Sequence, residues 1–536
     1  MSRAVTPAEV RALLLSGSEF ALLDVREQGV HYQGHPFFAC ALPLSRLELM
    51  VDALLPRKSA PLVLLDGGGE GLAERAAARL GALGYGDIAI LAGGCAAWQA
   101  DGGELFSGVN VPSKAFGEFV EHHYDTPRVP PAEIAAMQAA GRRMVIVDSR
   151  PWDEYHRMNI PGGIDVPGAE LVYRVHDLAP DPDTLVVVNC AGRTRSIIGC
   201  QSLRNAGIPN EVVALKDGTM GWELAGLTVE RGATRVAGPP SAAGLQRAQA
   251  AAAHAAARFK VKFASAAQVR AWRAETARTL YLLDVRTAEE FAAQRIAGSR
   301  HAPGGQLVQA TDEFVAVRGA RIVLIDPARV RSVMTASWLN QMGWDEVYVL
   351  EPEGSDGFAD WATESGPATV APPGLEPAPT LAAAELSAAL NSAAPPLVLD
   401  LATSLRYRAG HIVGAWWAVR ARLGEARAAC GAAGDVVLVS DDGVLAHLAA
   451  EDAKAAWPAA RVRVLDGGMR AWRAAGLAEE TGVKRPTTER NDVWYKPYDH
   501  ETEGDYEKHA RAYLTWEVAL VEQIRRDATI RFRAYD

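Results

Sequence analysis

The chain is poor in cysteine, in basic blocks and in long apolar runs, and each scarcity excludes a class of protein. Its 536 residues hold five cysteines, Cys40, Cys95, Cys190, Cys200 and Cys430, irregularly spaced and without a CxxC pair. That excludes a disulfide scaffold, a dithiol redox motif and a structural zinc site, and it fits a reducing compartment. A net charge of −10, with no block of lysines to offset it, argues against nucleic acid as a partner. No apolar run reaches membrane-spanning length, and Met1 to Arg11 lack the apolar core of a signal peptide. A cytoplasmic protein without a membrane partner is therefore expected. His122-His123 has no third ligand at useful spacing, so neither metal nor cofactor is expected.

What the chain does have is a repeat. Four apolar runs end in aspartate: Ala21 to Asp24, Val145 to Asp148, Tyr281 to Asp284 and Leu397 to Asp400. A second buried run follows each, ending on Asp66, Cys190, Asp326 and Asp441, which lie 42, 42, 42 and 41 positions beyond the first aspartates. Each copy then shows an amphipathic stretch and a third apolar run: Ile88 to Leu91, Val212 to Leu215, Val347 to Leu350 and Val462 to Leu465. A Gly-rich turn and a tryptophan close the units, at Gly93…Trp98, Gly218…Trp222, Gly354…Trp361 and Gly467…Trp472.

Apolar strands alternating with helices predict an α/β fold, each unit a parallel sheet flanked by helices. The spacing divides the chain into domains over 1–105, 131–230, 261–365 and 380–480, with linkers at 106–130, 231–260 and 366–379. The middle linker, Ala-rich from Ala248 to Ala257, reads as a helix and suggests two pairs of domains. The last linker, with five prolines from Pro367 to Pro379, reads as a stiff connector. A tail over 481–536 lies outside the repeat. Its Trp494, Tyr495, Tyr498, Tyr506, Tyr513 and Trp516 predict packing on a domain, with helical periodicity over Tyr513 to Ile524.

Chemistry concentrates in one loop. Cys190-Ala191-Gly192-Arg193-Thr194-Arg195-Ser196 joins the run Leu185 to Val188 to the amphipathic stretch Ile197 to Ala206. A strand-to-helix turn aims several backbone N–H groups and the helix dipole at one spot. Nearby guanidiniums add positive charge there, a setting that favours a thiolate and could hold an anionic substrate.

These features, the aspartate-ended first strand, the Cys-x-x-Arg-x-Arg-Ser loop and the Gly-rich turn before a tryptophan, resemble the rhodanese family over about residues 5–480. The resemblance implies a sulfurtransferase. Cys190 would be catalytic, taking a sulfane sulfur from thiosulfate or a persulfide donor and passing it to a thiol, cyanide or a protein cysteine. Arg193 and Arg195 would bind the donor's charged end, and Ala191, Gly192, Thr194 and Ser196 would complete the persulfide cradle. Rhodanese-like phosphatases have five positions between cysteine and arginine; here Cys190 and Arg195 enclose four, which favours sulfur over phosphate.

Asp66, Asp326 and Asp441 mark degenerate sites, since aspartate cannot carry a sulfane sulfur but can cap the vacant amides. The third loop keeps Arg329, Arg331 and Ser332, so an anion site or docking role there is the sharper reading. Cys200 could resolve a persulfide or simply pack; Cys40, Cys95 and Cys430 read as packing or surface residues. The pairs Asp24/Arg26, Asp148/Arg150 and Asp284/Arg286 recur without the cysteine and read as structural. The stretch Gly108 to Lys114 looks like a mark of multi-domain rhodaneses. A non-enzymatic scaffold, or a sulfur carrier or sensor that binds protein partners, is the alternative to an enzyme.

Overall fold

The computed structural model describes residues 3–535 except 355, 356, 360 and 369, with the side chains of 501–503 also left out. Parts of the Gly354…Trp361 turn, one position of the proline connector and Asp536 thus lie outside the described residues. Each repeat folds as an α/β module around a parallel sheet. In the second module the strand order is Arg128–Val129, Val212–Leu215, Leu185–Asn189, Met144–Asp148 and Ile164–Asp165. Leu185–Asn189 is buried at every position, which is why it reads as an unbroken apolar run rather than an alternating one. The other modules repeat the order, with Leu62–Leu65, Arg321–Ile325 and Asp435–Val439 at the same central place.

The recurring aspartate and arginine staple the first strand to the next loop. Arg150 Nε donates to Asp148 Oδ1 at 2.9 Å, and Arg26 and Arg286 repeat the bond to Asp24 and Asp284. The fourth module has Ala402 in place of the arginine, and Asp400 there is buried with only the Ala402 amide on Oδ1.

Linkers and tail are structural elements, not spacers. Residues 106–130, expected as a linker, contain the helix Val111–Tyr124, whose Glu118 is wholly buried; His122 and His123 are exposed in its last turn. The Ala-rich segment forms the helix Ala242–Arg258, but it does not separate two halves. It packs against Glu170–Leu178 of the second module and Val330–Gln341 of the third. The first three modules share one apolar core, while the fourth has its own. Val317–Arg318 of the third module also pairs antiparallel with Phe20–Asp24, extending the first module's sheet. The fourth module joins the first through buried Arg420, which bonds Glu48 at 2.7 Å. Among the described residues no helix is long and apolar enough to cross a membrane.

Candidate active site

Strand Leu185–Asn189 delivers Cys190 to the mouth of a loop that ends in helix Thr194–Asn205. The thiol is only 2% exposed and donates to Ser196 Oγ at 3.5 Å; Ser196 in turn donates to the Arg193 carbonyl at 2.8 Å. The Gly-rich turn holds the loop from behind. Thr219 N donates to Cys190 O at 2.8 Å and Met220 N to Ala191 O at 2.9 Å. Gly218 adopts φ +58, and a Cβ there would lie 2.4 Å from Cys190 O, so only glycine permits the approach. Gly94 and Gly468 make the same approach to Asp66 O and Ser440 O.

That equivalence corrects the fourth site. The residue that follows the central strand Asp435–Val439 is Ser440, and Met469 N donates to Ser440 O as Thr219 N does to Cys190 O. Asp441 is the next residue and is exposed. It is not the counterpart of Cys190. The sequence Ser440-Asp441-Asp442 places its aspartates one and two steps late, and the aspartates of the other copies draw the eye to the wrong residue.

Asp66 and Asp326 do stand in the cysteine's place and fill it. Asp66 Oδ2 accepts from Leu72 N and Ala73 N, and Asp326 Oδ2 accepts from Arg331 N at 2.8 Å. In each, a fixed carboxylate satisfies helix amides that would otherwise face a ligand.

The two loop arginines serve different partners. Arg193, expected to bind a donor, has every guanidinium nitrogen engaged by carboxylates: Nε and an Nη by Glu118 at 2.7 Å, with Glu121 at 2.6 Å and Asp217 at 3.2 Å. These contacts tie the loop to helix Val111–Tyr124. Burial pushes the Glu118 carboxyl upward against the pull of Arg193. Arg195 forms a bidentate pair with Glu154 at 2.9 and 2.8 Å. Burial works against ionisation of Glu154, but the Arg195 guanidinium holds it down at about 2. Glu154 stands six residues after Asp148, as Glu290 does after Asp284, and Glu290 pairs with Arg331 at 3.0 Å. The first and fourth modules lack both members of this pair. The repeat thus carried a signal for Glu154 that comparison of the loops alone does not reveal.

The tail covers this loop. Helix Tyr506–Ile524 places buried Glu517 where it accepts from Thr194 Oγ1 at 2.8 Å and from Tyr513 OH at 3.1 Å, with Lys114 Nζ 3.4 Å away. Gly192 lies against Tyr513 and Glu517, so a Cβ there would meet both at 3.3 Å. The stretch Gly108 to Lys114 gains a physical account here. A Cβ at Gly108 would collide with the Trp516 ring, Asn110 Nδ2 donates to Glu313 at 2.9 Å, and Ser113 donates to Val308 O at 2.6 Å. A cavity of about 280 Å³ remains beside Ala191 and Arg195, walled by all three shared-core modules, the linker helix and the tail.

The other thiols are placed differently. Cys200 is buried and donates to Val212 O at 3.6 Å, and burial pushes its thiol up to about 12. Cys95, read from the sequence as a packing or surface residue, is buried, and burial likewise lifts it to about 12. Among the described residues no group of three or more His, Cys, Asp or Glu could hold a metal ion.

Comparison with known proteins agrees with the repeat. The model of the rhodanese-like domain matches residues 6–101, 130–225, 265–364 and 382–475. The crystal structure of a thiosulfate sulfurtransferase from Pseudomonas aeruginosa is 46% identical, covers 100% of both chains and superimposes with a TM-score of 0.93. An HTH-type transcriptional regulator of Mycobacterium tuberculosis is 38% identical over 102 residues, which are 19% of this chain and 44% of the regulator. The chain belongs to the rhodanese-like domain family, of which it carries four tandem copies.

Proposed function

We propose that the chain is a sulfurtransferase that works through a persulfide on Cys190. One observation carries the reading. Of the four equivalent positions, Cys190, Asp66, Asp326 and Ser440, only Cys190 offers a thiol, and it lies at the N-terminus of a long helix beside a paired arginine. The full-length likeness to a protein named thiosulfate sulfurtransferase supports thiosulfate, or a related persulfide, as the donor.

In the first half-reaction the Cys190 thiolate attacks the outer sulfur of thiosulfate. A new S–S bond forms to Cys190, and sulfite leaves with the electron pair of the broken bond. In the second, a thiophilic acceptor such as a thiol or cyanide attacks the outer sulfur of Cys–S–S⁻, and the pair returns to Cys190 Sγ. Charge on the persulfide is met by the helix N-terminus and by the Ser196 hydroxyl, which turns its proton from the Arg193 carbonyl and whose Oγ lies 3.5 Å from the resting sulfur. Arg195, its orientation fixed by Glu154, supplies the cation for an anionic donor. Arg193, Thr194 and Gly192 hold the loop in shape through their contacts with the linker helix and the tail. The modules bearing Asp66, Asp326 and Ser440 act as architecture around this one site. Five free thiols suit a reducing compartment, and on that ground we assign the protein to the cytoplasm.

Intact mass after incubation with thiosulfate tests the reading. Wild type should gain one sulfur atom, lose it to cyanide, and Cys190→Ser should gain none. Equal gain by the variant would move the site elsewhere; no gain by wild type with thiosulfate or a panel of thiol persulfides would overturn the enzyme.

A further inference from the structure

We propose that a cleft between the second and third modules, separate from the cysteine loop, binds a small organic cation, an amine carried on an aromatic body. The cleft holds about 480 Å³, within the range of small-molecule sites. Both modules build it, through the segments 165–170 and 301–306 that end their outer strands. At this junction they touch backbone to backbone, for a Cβ on Gly305 would lie 2.9 Å from Gly168 N.

One group in the cleft is left incomplete by the fold. Asp165, at the end of strand Ile164–Asp165, is 4% exposed, and its buried Oδ1 has no hydrogen-bond partner among the described residues. The guanidiniums nearest to it are engaged elsewhere. Arg150 pairs with Asp148 at 2.7 Å, and Arg174 pairs with Glu170 at 2.6 Å and donates to Ala237 O. Burial, helped by the Asp148 carboxylate, pushes the Asp165 carboxyl up to about 7. An ammonium in the cleft supplies both the donor and the counter-charge that the protein withholds.

The remaining charges have the same sign once every partner is counted. Arg286 is held by Asp284, and Arg331, behind Glu170, faces Glu290 and Asp326 as well. Asp165 and exposed Glu289 are left without a cation, so the cleft stays negative even with His301 charged. Its apolar face is unusual for this surface. Trp152 and Val236, large apolar side chains that are 38% and 56% exposed, both line it, beside Pro167, Val285 and Pro303. Such a face suits an aromatic ring, and the Trp152 indole also attracts a cation.

Calorimetric titration of the full chain at about pH 8, where Asp165 is mostly ionised, tests the proposal with phenethylamine, phenethyl alcohol and hydrocinnamate. The amine should bind at least about 10-fold more tightly than the neutral alcohol, and the carboxylate should not bind. Asp165→Asn should weaken the amine by about 10-fold and leave the alcohol unchanged. Val236→Arg changes only an exposed position, sets a fixed cation in the cleft and should abolish binding. Absence of binding at millimolar phenethylamine, equal affinity for the alcohol, or full affinity in either variant would overturn the site. Because the cleft does not depend on the persulfide, Cys190→Ser should bind the amine as wild type does. Loss of binding in that variant would place the amine at the sulfur site and overturn a separate one.

Discussion

Glu517, in the last helix of the chain, accepts a hydrogen bond at 2.8 Å from Thr194, 323 residues earlier in the cysteine loop. The tail is thereby part of the site. Glu517→Ala leaves Thr194, Lys114 and Tyr513 without their common partner, and removing such a buried acceptor should cost about 3 kcal/mol. Hydrogen exchange should rise across residues 506–524 and sulfur transfer should fall. Unchanged protection there would show that the helix is held by its aromatic contacts alone.

Arg193 and Arg195 should separate stability from catalysis. Arg193→Ala strands Glu118 in the interior and leaves Glu121 only Arg128, a loss of about 3–5 kcal/mol read in denaturant unfolding. Arg195→Ala releases the half-buried Glu154, so it should cost less stability than Arg193→Ala, and it should lower kcat/KM for thiosulfate by about 100-fold. A large kinetic defect with normal stability for Arg193→Ala would restore it to the donor site.

Cys200 should prove inert. It is buried among apolar residues with its thiol raised to about 12, which keeps it protonated and unable to attack a persulfide. Cys200→Ala should keep full turnover and show no change in persulfide lifetime. A longer-lived persulfide in that variant would give Cys200 the resolving role.

Asp400 makes the fourth module sensitive to alkali. Burial without an arginine lifts its carboxyl to about 7, against an unfolded value of about 4. The folded state therefore binds the extra proton, so this contribution is complete below about pH 4 and is lost as pH rises through 7. Thermal melts should show wild type weakening from pH 5 to pH 8 relative to Asp400→Asn, with the gap widening upward. A gap that widens downward would reverse the assignment.

The third module is the one copy in which a thiol could be revived. Arg331 remains paired with Glu290 and Glu170 when Asp326 is removed, and the amides of Arg331 and Ser332 become free. On a Cys190→Ser background, Asp326→Cys should load some sulfur from thiosulfate, whereas Asp66→Cys and Ser440→Cys, which lack arginine in their loops, should load none. Equal inactivity of all three would show that the arginine pair is not sufficient.

The sequence exposed whatever is local or repeated. Buried parallel strands have no polar face, so each module announces itself as an apolar run ending in aspartate, and the cysteine loop is contiguous. What it concealed depends on contact between distant segments. Arg193 reads as a donor ligand until Glu118 and Glu121 are seen across the interface, and nothing near Thr194 foretells Glu517. Ser440 was hidden for a different reason: its identity rests on a backbone bond from Met469, while the side chains of Asp441 and Asp442 mimic the pattern of the other copies.

The strand Val317–Arg318 also sets a clock on synthesis. Its partner, Phe20–Asp24, leaves the ribosome almost 300 residues earlier, and Cys40–Ala41 pairs only with its far end, Leu23 and Asp24. At about 5–20 residues per second, part of that sheet edge waits roughly 15–60 s for its cover. Throughout that interval the nascent chain presents an open ladder to its neighbours, so polysome crowding and the supply of chaperones bear on its yield more than on that of a one-module relative.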